Sequence, residues 1–175
     1  ENNAILAGFE YALNPCTTIG YSFLAGKNDY NGDQDYFVNA LYLKRKLGRK
    51  WDYTFEWALN NTDDKAAGNM TSYGINNSLY YTVNCKWSVG FRLEWMHANK
   101  FEYNNILLTD QTSDTYGIVL GANWKPCDWF ILRPEIRYDA VHGAPNVPGV
   151  FNLTKSAGQN GKREQLAGGF SAVVI

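Results

Sequence analysis

The chain has 175 residues and a formal charge of −1, with 16 Lys and Arg against 17 Asp and Glu. That length fits one domain, and near-neutral charge excludes an electrostatic footprint for nucleic acid. No run of about 18 apolar residues occurs, which excludes a membrane helix but not a β-barrel, where only alternate residues face lipid.

Alternation of apolar and polar residues, with turn residues between, predicts nine strands. They fall at 3–14, 17–27, 34–46, 51–61, 72–84, 87–98, 113–125, 128–140 and 163–175. Short connections (Asn14-Pro15-Cys16, 47–50, Cys85-Lys86, Pro126-Cys127) alternate with long ones (28–33, 62–71, 99–112, 141–162). Outer-membrane barrels show this habit, with short turns in the periplasm and long loops outside the cell. On that count the first strand starts at the extracellular side and the ninth ends in the periplasm. An even-stranded barrel with both ends in the periplasm then needs at least one strand before Glu1. The expectation is an all-β, antiparallel transmembrane β-barrel, with 1–175 a single domain that forms the C-terminal portion of a larger barrel.

The strands carry two chemically distinct faces. In the third, Tyr36, Val38, Ala40 and Tyr42 alternate, but Phe37, Leu41 and Leu43 interrupt the pattern and leave its face open. The fourth sets Trp51, Tyr53, Phe55, Trp57 and Leu59 against Asp52, Thr54, Glu56, Ala58 and Asn60. The sixth sets Trp87, Val89, Phe91, Leu93 and Trp95 against Ser88, Gly90, Arg92 and Glu94. The seventh offers mostly small residues on its polar side, namely Thr115, Gly117, Val119, Gly121 and Asn123. The eighth sets Phe130, Leu132, Pro134, Ile136 and Tyr138 against Ile131, Arg133, Glu135, Arg137 and Asp139. Aromatics recur eight residues apart at Trp87 and Trp95, Tyr116 and Trp124, and Phe130 and Tyr138. Eight steps cover about 26 Å of strand, or about 20 Å of height at a tilt near 40°, close to the separation of two aromatic girdles. Aromatic content of 15%, with 12 Tyr and 6 Trp, is more than core packing needs and suits such girdles.

Placing Arg92, Glu94, Arg133, Glu135 and Arg137 in a dry core would be costly, whereas a water-filled lumen keeps them hydrated. The predicted lumen-lining set is Glu10, Glu56, Arg92, Glu94, Arg133, Glu135, Arg137 and Asp139. Long side chains of the sixth and eighth strands are expected to meet over the small seventh one. There they would form an Arg/Glu lattice that braces the wall and orders polar solutes. Pro134 lacks a backbone donor, so a bulge there, or an inward Arg serving the freed carbonyl, is expected.

Other residue groups carry less. Cys16, Cys85 and Cys127 lie in separate short turns. Neighbouring hairpin turns sit about 10 Å apart, beyond a disulfide reach of about 7 Å, so free thiols are expected. Asp29, Asn31, Asp33 and Asp35 mimic a calcium loop, but Gly32 is misplaced and Ala40 stands where the twelfth-position Glu belongs. Asn31-Gly32 reads better as a tight hairpin turn. His97 and His142 read as rim residues. Ile106-Leu107-Leu108 is an apolar island in a polar loop, read as packing against the rim. No GxSxG, HExxH or P-loop is present and no two carboxylates are paired, so neither catalysis, cofactor nor metal is predicted.

Arg133-Pro134-Glu135-Ile136-Arg137-Tyr138-Asp139, preceded by Gly121-Ala122-Asn123-Trp124-Lys125-Pro126, resembles the closing hairpin of the OmpL-like β-barrel porins of Gram-negative outer membranes. Lys162-Arg163-Glu164-Gln165-Leu166 is similar to the entry of their last strand, although Ile175 stands where such barrels finish on an aromatic. The resemblance covers 113–175 by motif and the rest by pattern. It implies an outer-membrane porin-like channel for passive diffusion of small hydrophilic solutes. The alternative is a non-conducting outer-membrane barrel with a structural, adhesion or assembly role. A soluble ligand-binding barrel is disfavoured by the charged inward positions. Expected partners are outer-membrane lipid and small polar solutes or ions, with self-association left open.

Overall fold

In the computed structural model the chain runs up and down through antiparallel strands, described over residues 3–28, 34–64, 68–99, 101–103, 106–108, 112–143 and 163–174. The strands are β1 (Ala4–Asn14), β2 (Thr17–Asn28), β3 (Gln34–Leu47), β4 (Trp51–Asp64), β5 (Gly68–Thr82) and β6 (Trp87–Ala98). Then follow β7 (Phe101–Tyr103), β8 (Ile106–Leu108), β9 (Ser113–Cys127), β10 (Phe130–Gly143) and β11 (Glu164–Val174). Nine of them form one sheet in the order β1-β2-β3-β4-β5-β6-β9-β10-β11, while β7 and β8 pair only with each other. Each main strand therefore lies beside its neighbour in sequence, the up-and-down order of a barrel wall. Among the described residues β1 and β11 are the sheet's two edges.

All nine predicted strands are present. The fourth runs on to Asp64 and the fifth begins at Gly68, so both extend past their predicted ends into polar sequence. The connection predicted as loop over 99–112 contains the small β7–β8 hairpin, too short to leave an alternation signal. The Asn31-Gly32 turn, the aspartates at 29 and 33 and most of the 141–162 connection lie outside the described residues.

Short turns close the hairpins at one end. Asn14 Oδ1 accepts from Cys16 N at 2.9 Å, and Asn84 Oδ1 accepts from Lys86 N at 2.9 Å and Trp87 N at 3.0 Å. These are Asx turns, in which the side chain replaces a backbone acceptor. Gly48, at φ 79°, takes the left-handed conformation that turns β3 into β4. The three cysteines are free, as expected.

Register settles the two faces. Leu93, Ile118, Tyr138 and Leu166 align across β6, β9, β10 and β11, as do Phe91, Leu120 and Ile136. On β3 the residues aligned with this apolar face are Phe37, Leu41 and Leu43, so Tyr36, Val38, Ala40 and Tyr42 belong to the polar one. The interrupted alternation of β3 is thus resolved in favour of the interrupting residues. A single sheet has no second layer to cover its apolar face. Phe91, Leu93, Ile118, Leu120 and Ile136 stay 39–53% exposed, the signature of a surface made for lipid. Aromatic pairs bound this face. Trp51 meets Tyr81 at 4.6 Å and Trp87 stacks on Trp124 at 5.7 Å near the short turns. Tyr73 meets Trp95 edge-on at 5.6 Å toward the other end.

Pro134 keeps its register, opposite Phe170 of β11, but the ladder to β9 has a gap at Arg133 and Pro134, between the Leu132–Trp124 and Glu135–Gly121 pairs. The register shift lies elsewhere, where β9 takes three steps, Cys127 to Trp124, while β10 takes two, Phe130 to Leu132. The extra residue falls beside Pro126, whose missing N–H makes that point the easier place to break the ladder. A second shift separates Ala12 from Asn14 in β1, just before Pro15.

Two of the amides on the apolar face are each answered by a tyrosine of the adjacent strand. Tyr21 Oη donates to Asn39 Oδ1, and Tyr53 Oη donates to Asn77 Oδ1 at 2.7 Å. An amide left unpaired against hydrocarbon costs far more than in water. Tyr53→Phe is therefore expected to destabilise the bilayer-inserted protein by about 1–3 kcal/mol, and Asn77→Leu added to it should recover most of the loss. Reversible urea unfolding from lipid vesicles measures both. Unchanged stability in the single variant would mean that Asn77 is hydrated and this face does not meet lipid.

Candidate pore-lining face

One row of residues crosses all nine strands in register on the polar face: Glu10, Gly20, Tyr42, Glu56, Asn76, Glu94, Gly117, Asp139 and Gln165. It contains four carboxylates and two glycines. Side chains converge over both glycines, because a middle strand without a Cβ leaves room above its backbone.

Over β9, Arg137 Nη2 of β10 reaches Glu94 Oε2 of β6 at 2.5 Å. A Cβ on Gly117 would stand 2.8 Å from Glu94 Oε2 and 3.2 Å from Arg137 Nη2, so a side chain there would have to displace the bridging groups. Arg137 Nε donates to both oxygens of Asp139, at 2.7 and 2.9 Å, and Gln165 Nε2 donates to Asp139 Oδ2 at 3.0 Å. Arg92 Nε lies 2.7 Å from Glu94 Oε1, in contact but without hydrogen-bond alignment. The result is a polar chain, Arg92–Glu94–Arg137–Asp139–Gln165, that spans four strands. Over β2, the Tyr42 ring occupies the place of a side chain on Gly20 and its hydroxyl donates to Glu10 of β1. Lys44 Nζ lies 3.6 Å from the same carboxylate. Between these groups, Asn76 Nδ2 donates to Glu56 Oε2 at 3.4 Å.

All eight residues predicted from sequence stand on this face. Glu94, Arg92, Arg137 and Asp139 come together as expected over the small strand. Glu10 and Glu56 are engaged separately. Arg133 and Glu135 make no ion pair among the described residues, and with Arg92 they border a cavity of about 360 Å³ walled by Gly90 and Gly121. A second hollow, of about 340 Å³, lies beside Asn76, Glu94 and Arg137 against Val38, Ala58 and Met96. Sequence reading missed Tyr42, Lys44, Asn76 and Gln165. Tyr42 and Lys44 were hidden by the ambiguous third strand. The two amides carry no charge, and only their register beside Glu56 and Asp139 reveals them. His97 and His142 lie on the apolar face near the long-connection end, where His97 Nδ1 and Trp95 Nε1 each lie 3.0 Å from Asp114 Oδ1. They belong to the girdle rather than to the polar face.

A strand-ordered antiparallel wall, apolar and aromatic on one side and charged on the other, is the pattern of the transmembrane β-barrels of outer membranes as a class. The chain belongs to the family described as Putative beta-barrel porin-2, OmpL-like, which matches residues 1–175 and so extends the resemblance beyond the last hairpins. No curated protein matches in sequence. Among solved structures, the "TodX monoaromatic hydrocarbon channel deltaS2 mutant" is similar with a TM-score of 0.53 and 11% identity, over 94% of this chain and 59% of that one. At that identity the likeness concerns the fold, and this chain spans 59% of the length of that structure.

The bridge over β9 gives a sharp expectation. In the parent, Glu94→Gln and Arg137→Met should show a coupling on the order of 1 kcal/mol in a double-mutant cycle of unfolding. In a Gly117→Val background that coupling should fall toward zero. Coupling that survives the valine would show that the pair does not meet above residue 117.

Proposed function

We propose that this chain forms wall of an outer-membrane channel through which small hydrophilic solutes diffuse passively. Residues 1–175 act as one domain, with the open edges of β1 and β11 completed by further strands in the finished barrel, since unpaired backbone is not tolerated in lipid. One observation carries the reading above the others. The charges of six strands gather on the face opposite the apolar one and border cavities there, which suits water and polar solutes. The TodX neighbour is titled a hydrocarbon channel, but the Arg133, Glu135, Arg92 and Glu94 side chains here favour hydrophilic cargo over hydrocarbon. The reading assigns no catalytic step, because Glu10, Glu56, Glu94 and Asp139 are engaged by tyrosine, lysine, asparagine and arginine.

Arg133 and Arg137 should set ion preference. Replacing both with Ala removes two positive charges from the wall and leaves the apolar face untouched. Cation preference is expected to rise, most at low salt, where the Debye length is about 30 Å at 0.01 M. Reversal potential across a salt gradient in planar bilayers measures this, with heat-modifiable migration confirming the fold. Unchanged selectivity in a folded, conducting variant would take both arginines out of the permeation path. The alternative, a non-conducting barrel, draws on the Arg92–Gln165 chain of polar contacts, which also braces a wall. A parent without conductance would favour it.

The reading also sets the short turns in the periplasm and the long connections outside the cell. A membrane-impermeant maleimide applied to whole cells should then modify Thr112→Cys and leave native Cys16 and Cys85 untouched. Labelling of the parent would invert the barrel.

A further inference from the structure

The short-turn end carries positive charge for which the polar face has no use. Arg45 near the end of β3, Arg49 and Lys50 in the β3–β4 turn, and Lys86 in the β5–β6 turn are all exposed and make no ion pair with a described residue. Two acids lie near this end. Asp52 is registered with Lys46 on the polar face, and Asp128 is held by Lys125 at 3.2 Å. The four cations therefore keep their charge for something outside the chain.

Their position is specific. Arg45 is registered with Tyr53, on the apolar side of the sheet. Thr82 N donates to Lys50 O at 2.8 Å, which holds the β3–β4 turn beside the end of β5. Just inside them on the apolar face lie Trp51 against Tyr81 and Trp87 on Trp124. Lys50 Nζ stands 5.6 Å from the centre of the Tyr81 ring, where aromatic belt and basic collar touch. Interfacial Trp and Tyr sit at headgroup depth, so cations one step beyond them are at the level of lipid phosphate. From β3 to β6 the collar spans about 14 Å, enough to reach more than one phosphate.

We propose that Arg45, Arg49, Lys50 and Lys86 form a binding collar for the headgroups of anionic phospholipids on the membrane face that meets the short turns. The proposal rests on the membrane-barrel reading, but not on which face is periplasmic. Lipid is favoured over a soluble anion because the collar borders the apolar face rather than the polar one. Guanidinium and ammonium donors both suit phosphate oxygens, Arg by its planar fork and Lys as a point charge.

Tryptophan quenching in vesicles of brominated phosphatidylglycerol and phosphatidylcholine tests it, with Trp51, Trp87 and Trp124 as nearby reporters. The parent should prefer the anionic lipid several-fold. The preference should fall near unity in the Arg45→Gln, Arg49→Gln, Lys50→Gln, Lys86→Gln variant. It should also shrink for the parent in about 1 M salt, where the Debye length is about 3 Å. Lys27→Gln, at the opposite end, should leave it unchanged. Equal quenching of the parent by both lipids overturns the collar and leaves the barrel standing, whereas no quenching by either sinks both. Loss of the preference on adding inorganic phosphate at constant ionic strength would make the collar a free-phosphate site and end the lipid proposal. If the quadruple variant does not fold, the parent's preference and its salt dependence decide.

Discussion

A backbone that crosses hydrocarbon has to satisfy its own N–H and C=O groups, and everything else in this molecule follows from how that is done. Antiparallel ladders join each strand to the next from β1 through β6 to β9, β10 and β11. Once pairing is complete, each side chain's face is decided by parity alone, because successive residues point to opposite sides. A single layer then has no interior in the ordinary sense. Among the described residues no side chain is fully buried, and apolar residues find their environment outside the protein instead of within it. The ladder also explains where irregularity is tolerated. The register shifts at Ala12–Asn14 and Phe130–Leu132 lie close to Pro15 and Pro126, near the turns and away from the middle of the sheet.

Glycine takes a second part in the wall. Gly20 and Gly117 occupy the same cross-strand row, and each is spanned by a partnership between the strands on either side. The Tyr80 ring similarly covers Gly90, with atoms 2.8 Å from where a Cβ would stand. Residues with no side chain thus act as seats for their neighbours' side chains, and a bulky polar face can be packed close to the backbone. Tyrosine gains most from this. On the polar face Tyr42 and Tyr80 lie over glycine, while on the apolar face Tyr21 and Tyr53 turn their hydroxyls to asparagine.

The strands were legible in the sequence because half-buried β-structure writes its period of two into every stretch of about ten residues. β3 was not, since Phe37, Leu41 and Leu43 are as apolar as Tyr36, Val38 and Tyr42, and only pairing with β2 and β4 separates them. The choice of Pro126 over Pro134 as the site of disorder in the ladder also depends on pairing. Pro134 leaves a gap in the β9 ladder without shifting its register, whereas the shift falls beside Pro126, and composition does not reveal which will do which. The charged members of the polar face were legible by type, and the bridge over Gly117 by the smallness of its strand. The uncharged partners Asn76 and Gln165 were not, because an amide announces nothing until its register places it beside Glu56 or Asp139.

The polar row has a geometric consequence in a tilted wall. It runs perpendicular to the strands, whereas barrel strands lean by about 40° from the membrane normal. Eight inter-strand steps cover about 38 Å, and at that lean the row climbs about 25 Å between Glu10 and Gln165. That climb equals about the full height of the apolar band. Residues that look like a ring when the sheet is flattened are therefore a ramp in the barrel, each at its own depth. On the proposed reading of this face as a pore wall, a solute would meet Glu10, Glu56, Glu94 and Asp139 in sequence along a spiral instead of crossing a single charged hoop.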